Sequence, residues 1–200
     1  MPTNIRIASA FDGSQIHAIY APAVSEQPTS FETEVPAVDE IVRRIDDTLA
    51  TYPYIVAERD GEIVSYVYAR RWRPRPAYDW DVEITVFVKD GNGGRGIGRA
   101  MYTALTRLLA AQGFANALAA ITVPNDASIK FHESMGFHRA AVFPSAGFKL
   151  GAWHTVECWW KQLADLPDEP HPPIPFKTFR TFPECEAILQ EATALLTDGD

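Results

Sequence analysis

The chain of 200 residues contains little cysteine, no long apolar run and a shortage of basic side chains, and each of these excludes a class of protein. Its two cysteines, Cys158 and Cys185, form no metal-type cluster and do not suggest a disulfide-stapled fold. No apolar stretch approaches the roughly 20 residues that a membrane helix needs. The first residues lack a basic segment followed by an apolar one, so we expect no secretory signal, no membrane partner and a cytoplasmic location.

The shortage of basic residues is uneven along the chain. There are 18 Lys and Arg against 26 Asp and Glu, a net charge of −8, which argues against nonspecific binding of nucleic acid. Residues 165–200 carry eight acidic and two basic side chains, so they hold −6 of that charge. The rest of the chain is nearly balanced, and its local charges, rather than the total, decide which ligands it can bind.

The chain has enough apolar residues for one packed domain, at 46% of the sequence. Helical and strand periodicities alternate without repeats, which predicts an α+β fold with a mixed sheet and helices on both faces. Prolines accumulate after Leu166, which predicts a domain over 1–165 and a proline-rich acidic tail over 166–200 that ends in a short helix. The predicted helices cover about 14–22, 38–50, 97–109, 126–135 and 184–196, and the predicted strands cover 5–8, 54–58, 63–71, 82–88, 117–123, 137–143 and 155–160.

A glycine-rich loop over 91–98 joins the predicted strand 82–88 to the helix that follows it. Glycines let a ligand oxygen approach the backbone, and the free N–H groups at a helix start attract anions. A mobile loop that only reverses the chain is the alternative. A kinase-type phosphate loop would need Lys and Ser or Thr after its last glycine, where Arg99 and Ala100 stand. A dinucleotide-binding loop would follow the first strand of a parallel sheet, which this loop does not.

The segment Gly93-Gly94-Arg95-Gly96-Ile97-Gly98 resembles the pyrophosphate loop of the GNAT N-acetyltransferases, with Gly93 where that family usually has Gln or Arg. The helix after Asn125 agrees, with His132 where the wider family has Tyr, followed by Gly136-Phe137. Several longer stretches narrow the resemblance, which covers about residues 4–165, to the phosphinothricin and methionine sulfoximine N-acetyltransferase branch. These stretches are 29–32, 75–83, 111–114, 123–126, 132–137 and 146–154.

The resemblance implies the GNAT fold, with a mostly antiparallel mixed sheet, and an enzyme that transfers acetyl from acetyl-CoA, without a metal, to the α-amine of a small amino-acid analogue. It also implies a homodimer. The residues that it assigns to acetyl-CoA are Val86, Phe87, Val88, Gly93, Gly94, Arg95, Gly96, Ile97, Gly98, Arg99, Asn125 and Ser128.

Two residues are the catalytic candidates. An α-amine is mostly protonated near pH 7, so its acetylation calls for a general base, and Glu83 occupies the family's position for one. The alternative for Glu83 is a structural ion pair with Arg70, Arg71, Arg73 or Arg75. His132 is assigned to protonating the departing thiolate or to sharing the role of base, and its alternative is a structural histidine. The resemblance favours catalysis for both, without dividing the proton roles between them.

The substrate-binding candidates are Phe31, Arg75 and Tyr78, which align with the branch's substrate positions. A guanidinium matches a carboxylate, phosphinate or sulfone oxygen in a bidentate manner. For Arg70, Arg71 and Arg73 a solvated strand end is the preferred interpretation. Two other functions stay open at this point: acetylation of another amine, such as a protein N-terminus, a lysine or an antibiotic, and a CoA-binding module without catalysis.

Overall fold

The computed structural model describes residues 3–93 and 96–196, which form one mixed sheet with helices on both faces. The sequence-based fold class is therefore confirmed. The strands are β1 Asn4–Ile7, β2 Tyr54–Arg59, β3 Glu62–Arg71, β4 Asp81–Val88, β5 Asn116–Val123, β6 His138–Lys149 and β7 Ala152–Gln162. The helices are α1 Gly13–Ser25, α2 Val38–Thr51, α3 Ile97–Gln112, α4 Asp126–Ser134, α5 Phe176–Phe179 and α6 Pro183–Ala194.

The seven strands lie in the order β1-β2-β3-β4-β5-β7-β6, and the described pairs are antiparallel except for β4 with β5. The ladder between β4 and β5 covers Asp81–Glu83 and Asn116–Leu118. Both strands continue beyond it, β4 to Val88 and β5 to Val123, without further pairing between them in the described ladder. The two strands therefore separate in the middle of the sheet, directly after Glu83.

Apolar stripes on the helices cover the two faces of this sheet. In α2, Ile41, Ile45 and Leu49 are buried while the charged residues between them face solvent, which is the periodicity that predicted the helix. In α3 the buried stripe includes Met101 and Leu105, and this helix packs on β2, β3 and β4. Contacts of α1 with β3 and β4 place the α1–α2 pair over the same central strands.

The hairpin of β6 and β7 is longer than the sequence indicated, so the predicted bounds of 137–143 and 155–160 were wrong. Pairing continues through Gly147 with His154 to Lys149 with Ala152, past a register irregularity after Phe143. Leu150 and Gly151 close the hairpin with positive φ values of 50° and 77°, the geometry of a tight two-residue turn. Because β6 is an edge strand with mostly exposed side chains, its sequence lacks the apolar pattern that marks a strand.

The C-terminal tail is packed into the same core as the rest of the chain. Phe176 and Phe179 are buried completely or nearly so, and α6 lies against α3 and β1. The segment before them is attached by backbone carbonyls: Trp80 Nε1 donates to His171 O (2.9 Å) and Gln112 Nε2 donates to Ile174 O (2.7 Å). One continuous hydrophobic core therefore contains residues from both sides of the change of composition near residue 165.

Within the described residues, the helices are all too short or too polar to cross a membrane. In the same part of the chain, no group of three or more His, Cys, Asp or Glu side chains has the arrangement of a metal site.

Candidate active site

A cavity of about 660 Å³ opens where β4 and β5 separate, beneath the segment that joins α1 to α2. It combines aromatic side chains with short polar groups and two Arg–Glu ion pairs, Arg44 with Glu32 and Arg70 with Glu83. The remaining lining side chains that bear on the chemistry are Tyr20, Thr29, Ser30, Phe31, Tyr54, Tyr66, Tyr68, Thr85, Phe87, Thr122 and Val156.

Glu83 lies in this cavity because of its place in β4. The side chains of Val82 and Ile84 are buried on the other face of the strand, so alternation directs Glu83, Thr85 and Phe87 toward the cavity. The side chain of Glu83 is 15% exposed, and its Oε1 accepts a hydrogen bond of 2.7 Å from Arg70 Nη2. The ion pair with Arg70, which was the alternative to a catalytic role for Glu83, is therefore present. The same carboxylate also faces the cavity.

The tyrosines around Glu83 stay protonated near neutral pH. Burial raises the pKa of Tyr20 to about 12, and it raises the pKa of Tyr54, Tyr66 and Tyr68 above the ordinary value. Glu32, the other carboxylate in the lining, pairs with Arg44 on α2 (2.6 Å) and is carried by the segment that covers the cavity. Glu83 is thus the carboxylate that lies at the point where the strands separate, which favours it as proton acceptor.

The predicted acetyl-CoA residues fall into two groups in the structure. Phe87 lines the cavity, and Val86 and Val88 flank it on the part of β4 that runs beyond the β5 ladder. Gly96, Ile97, Gly98 and Arg99 lie at the start of α3, and Gly93 lies in the loop before it. Gly94 and Arg95 lie outside the described residues, so their predicted role has no structural counterpart here.

The start of α3 has the geometry of an anion site. Gly96 stands at the N-cap with φ of +74°, and the N–H of Ala100 returns to its carbonyl (3.0 Å). No side chain caps the helix among the described contacts, so the first N–H groups of α3 remain available to a ligand oxygen. These N–H donors fit a pyrophosphate group. Among the described residues, Gly96 to Arg99 would hold the pyrophosphate of acetyl-CoA.

Replacing Gly96 by alanine tests this loop. A residue with a Cβ in the left-handed conformation costs about 1–2 kcal/mol, so the loop should move and the KM for acetyl-CoA should rise severalfold. Gly61 is a matched control, because it has φ of +79° in the β2–β3 turn, and a Cβ at either glycine meets no atom within 4 Å. Gly61→Ala should lower the melting temperature without changing that KM. Equal KM values for acetyl-CoA in the two variants would contradict the assignment of the loop at Gly96 to acetyl-CoA.

The helix α4 packs against the start of α3. A Cβ at Gly98 would lie 3.4 Å from the ring of Phe131, and Arg99 Nη2 donates to Ser134 Oγ (3.2 Å). Asn125 caps α4, since its Oδ1 accepts from the Ser128 N–H (3.1 Å). Asn125 and Ser128 therefore stabilise α4, and their contact with acetyl-CoA stays a prediction.

His132 is the buried residue of α4, with 3% of its surface exposed, and it is not among the residues that line the cavity. Its Nδ1 lies 2.8 Å from the carbonyl oxygen of Ser128, which can only accept, so Nδ1 carries the proton. Nε2 then accepts from the hydroxyl of Tyr102 (2.9 Å). Burial lowers the pKa of His132, which keeps the ring neutral. His132 is not among the residues that line the cavity around Glu83, and its proton role stays a prediction.

The burial of His132 predicts a pH dependence of stability. Because its pKa is lowered in the folded protein, the unfolded chain binds the proton more tightly. The contribution of His132 to the stability is therefore fully present above the unfolded-state pKa of about 6.5. It is lost as the pH falls toward the lower pKa of the folded state. Thermal unfolding from pH 7 to 5 should show a weaker pH dependence in His132→Asn than in the wild type. The control His171→Asn, at an exposed position, should keep the wild-type dependence; identical slopes in all three proteins would refute the account.

The predicted substrate residues are only partly brought together. Phe31 lines the cavity, but Arg75 and Tyr78 are not among its lining residues: Arg75 precedes a short 3-10 turn over Pro76–Tyr78. The Tyr78 ring lies under the guanidinium of Arg73, 5.5 Å from its carbon to the ring centroid. Their contact with substrate stays a prediction.

The arginine that does face the cavity is Arg70, which the sequence favoured as a solvated strand end. Its position opposite Glu83 in the antiparallel register of β3 and β4 is what brings it there. Arg44 is a second guanidinium that was not anticipated. The alternation of β3 was the available signal for Arg70, because it places Tyr66, Tyr68 and Arg70 on one face.

Comparison with known proteins places this geometry among acetyltransferases. Residues 5–156 match the family described as an acetyltransferase (GNAT) domain. The phosphinothricin N-acetyltransferase of Streptomyces viridochromogenes is 35% identical over 174 residues, 87% of this chain and 94% of that protein. The L-methionine sulfoximine/L-methionine sulfone acetyltransferase of Pseudomonas aeruginosa is 37% identical over 157 residues, 76% and 90% of the two proteins.

A solved structure agrees with these sequences. The GNAT superfamily phosphinothricin acetyltransferase from Sinorhizobium meliloti, crystallised in complex with acetyl-CoA, has a TM-score of 0.80 at 28% identity, over 88% of this chain and 99% of that one.

Proposed function

Because this chain belongs to the GNAT family of acetyltransferases, we propose that it acetylates the α-amine of a small amino-acid analogue such as L-phosphinothricin, methionine sulfoximine or methionine sulfone. It is an acetyl-CoA-dependent N-acetyltransferase of the phosphinothricin type. The observation that carries the choice of acceptor is the pair of Arg70 and Glu83 in the cavity at the β4–β5 separation. It offers a cation and an anion side by side, which is what the carboxylate and the amine of an amino acid require.

The proposed reaction needs one base from this chain. The acceptor arrives as an ammonium and gives one proton to the Glu83 carboxylate, which frees the lone pair of its nitrogen. The nitrogen attacks the thioester carbonyl carbon of acetyl-CoA, and backbone N–H groups of Thr85–Val88 hold the oxygen as it becomes negative. The new N–C bond forms and the C–S bond breaks. The second proton lost by the nitrogen neutralises the departing thiolate, so the products are the N-acetyl amino acid and CoA.

Replacing Arg70 tests whether the acceptor carboxylate binds in the cavity. Arg70→Met removes the guanidinium that would bind the carboxylate and leaves Glu83 without its partner, so the KM for the amino acid should rise about tenfold or more. Arg71 is the control, because it pairs with Asp79 instead and is not among the residues of the cavity. Arg71→Met should leave the KM close to that of the wild type, and a larger effect at Arg71 than at Arg70 would exclude the proposed carboxylate site.

The choice of acceptor is tested by ranking kcat/KM for thiol release from acetyl-CoA. The panel contains the three analogues, the natural amino acids, a peptide with a free N-terminus, a lysine peptide and an aminoglycoside. We expect the three analogues to lead. A peptide or an aminoglycoside at the top would replace the proposed acceptor with another amine, and release with no member of the panel would favour a CoA-binding protein without catalysis.

A further inference from the structure

The segment that covers the cavity, Thr29–Glu32, is anchored by a buried lysine outside the cavity. Lys149 lies at the end of β6 and is 5% exposed. Its Nζ donates to three backbone carbonyl oxygens in the last turn of α1 and the loop after it: Ala23 (3.2 Å), Gln27 (2.8 Å) and Ser30 (2.6 Å). An ammonium has three N–H donors, so this one is fully used, and it ties the last turn of α1 and the segment after it to the β6–β7 hairpin.

The same hairpin holds the ring of Phe31. A Cβ built on Gly147 would overlap Phe31 Cε2, so only glycine leaves room for the ring in this position. The ring centroid of Phe31 also lies 6.4 Å from that of His154, whose Nε2 is 2.9 Å from the carbonyl oxygen of Lys149. The tip of the hairpin thus supplies both the cation that binds the backbone of the segment and the gap that receives its aromatic side chain.

Two other contacts of the segment come from helices α1 and α2. The hydroxyls of Tyr20 and Ser30 are 2.8 Å apart, and Glu32 pairs with Arg44. The side chains in these polar contacts all line the cavity. Lys149 does not line the cavity, and it binds the backbone of the segment. Because unpaired carbonyls in a buried place are costly, loss of the ammonium should release the segment rather than leave it in position.

We propose that Lys149 is a positioning residue for the acceptor: its ammonium holds Thr29–Glu32 over the cavity, so that Phe31 closes one wall of the site in which the amine is bound. This inference rests on the proposed function, because it takes the cavity to be the acceptor site. It assigns a role in specificity to the β6–β7 hairpin, which contributes Lys149 and Gly147 without contact with the substrate.

The test compares Lys149→Met with Lys161→Met. Lys161 is a matched control on β7, since its partly buried Nζ donates to the backbone carbonyl of Met135 (2.7 Å), which is not part of the segment. Lys149→Met should speed the amide hydrogen exchange of residues 26–32 and raise the KM for the acceptor about tenfold or more, with the KM for acetyl-CoA close to that of the wild type. Lys161→Met should change neither the exchange nor the acceptor KM.

Gly147→Ala provides a second, independent variant should Lys149→Met fail to fold. The three atoms nearest to the added Cβ all belong to the Phe31 ring, so we expect the ring to be displaced and the bonds of Lys149 to be kept. The acceptor KM should then rise while the protein stays folded. The inference is overturned if folded Lys149→Met keeps wild-type exchange over 26–32, if it raises both KM values equally, or if Gly147→Ala leaves the acceptor KM unchanged. If the wild type acetylates no amino acid, the proposed function fails, and the exchange measurement still decides whether Lys149 holds the segment.

Discussion

Glu83→Gln is expected to lower kcat for acetyl transfer by about 10²–10⁴-fold, the usual contribution of a general base. The glutamine amide keeps the size of the side chain, and its oxygen can still accept the hydrogen bond from Arg70, so the fold and the position of the side chain should change little. The KM for acetyl-CoA should stay near the wild-type value, because the variant removes proton transfer rather than binding. Steady-state kinetics with the amino acid and acetyl-CoA varied in turn separates the two effects.

Glu62→Gln is the control for this substitution. Glu62 lies in the neighbouring strand β3 and pairs with Lys89 (3.0 Å) at an exposed position away from the cavity. Its replacement should leave kcat at the wild-type level. If Glu83→Gln turned over as fast as Glu62→Gln, the carboxylate at residue 83 would be a structural partner of Arg70 and the base would have to be sought elsewhere.

The largest expected effect on stability comes from the C-terminal tail. Phe176 is fully buried although it follows the proline-rich segment, and Phe→Ala in a packed core typically costs about 3–5 kcal/mol. Because the free energy of unfolding of small proteins is only about 5–15 kcal/mol, Phe176→Ala should remove a large share of it. Urea unfolding at 25 °C measures the difference.

Phe182 serves as the comparison, because it lies in the same tail but is 40% exposed, in edge-to-face contact with Phe179. Phe182→Ala should cost clearly less than Phe176→Ala. A separate early unfolding transition in Phe176→Ala, with the remaining transition at the wild-type position, would show that the tail folds apart from the rest of the core.

Much of the fold follows from local patterns. The apolar stripe of α2, the β-branched run of β4 and the turn at Asp60-Gly61 predict their elements because each signal lies within a few residues. The β6–β7 hairpin was underestimated because an edge strand that is exposed on most positions carries no apolar alternation. The burial of Phe176 and Phe179 was missed for the opposite reason, since a short apolar segment between prolines resembles a surface segment until its partner helix is known.

The site was predictable where a single strand or loop carries it and less so where two elements must meet. Glu83 and Phe31, two candidates that the resemblance named, both line the cavity. The alternation of β3 gives the face on which Arg70 lies but not the register with β4 that places it opposite Glu83. His132 shows the same limit, because its spacing from Asn125 predicts a helix face but not the Tyr102 hydroxyl that receives it.

The account depends on Glu83 meeting the acceptor amine in the cavity at the β4–β5 separation. A crystal structure with CoA and L-methionine sulfone, a pair that cannot react because no acetyl group is present, tests this directly. We expect the amine nitrogen within about 2.6–3.2 Å of a Glu83 carboxylate oxygen, the amino-acid carboxylate on Arg70, and the CoA sulfur between the two strands. An amino acid bound elsewhere, with Glu83 still paired to Arg70 and without contact to the amine, would contradict the account.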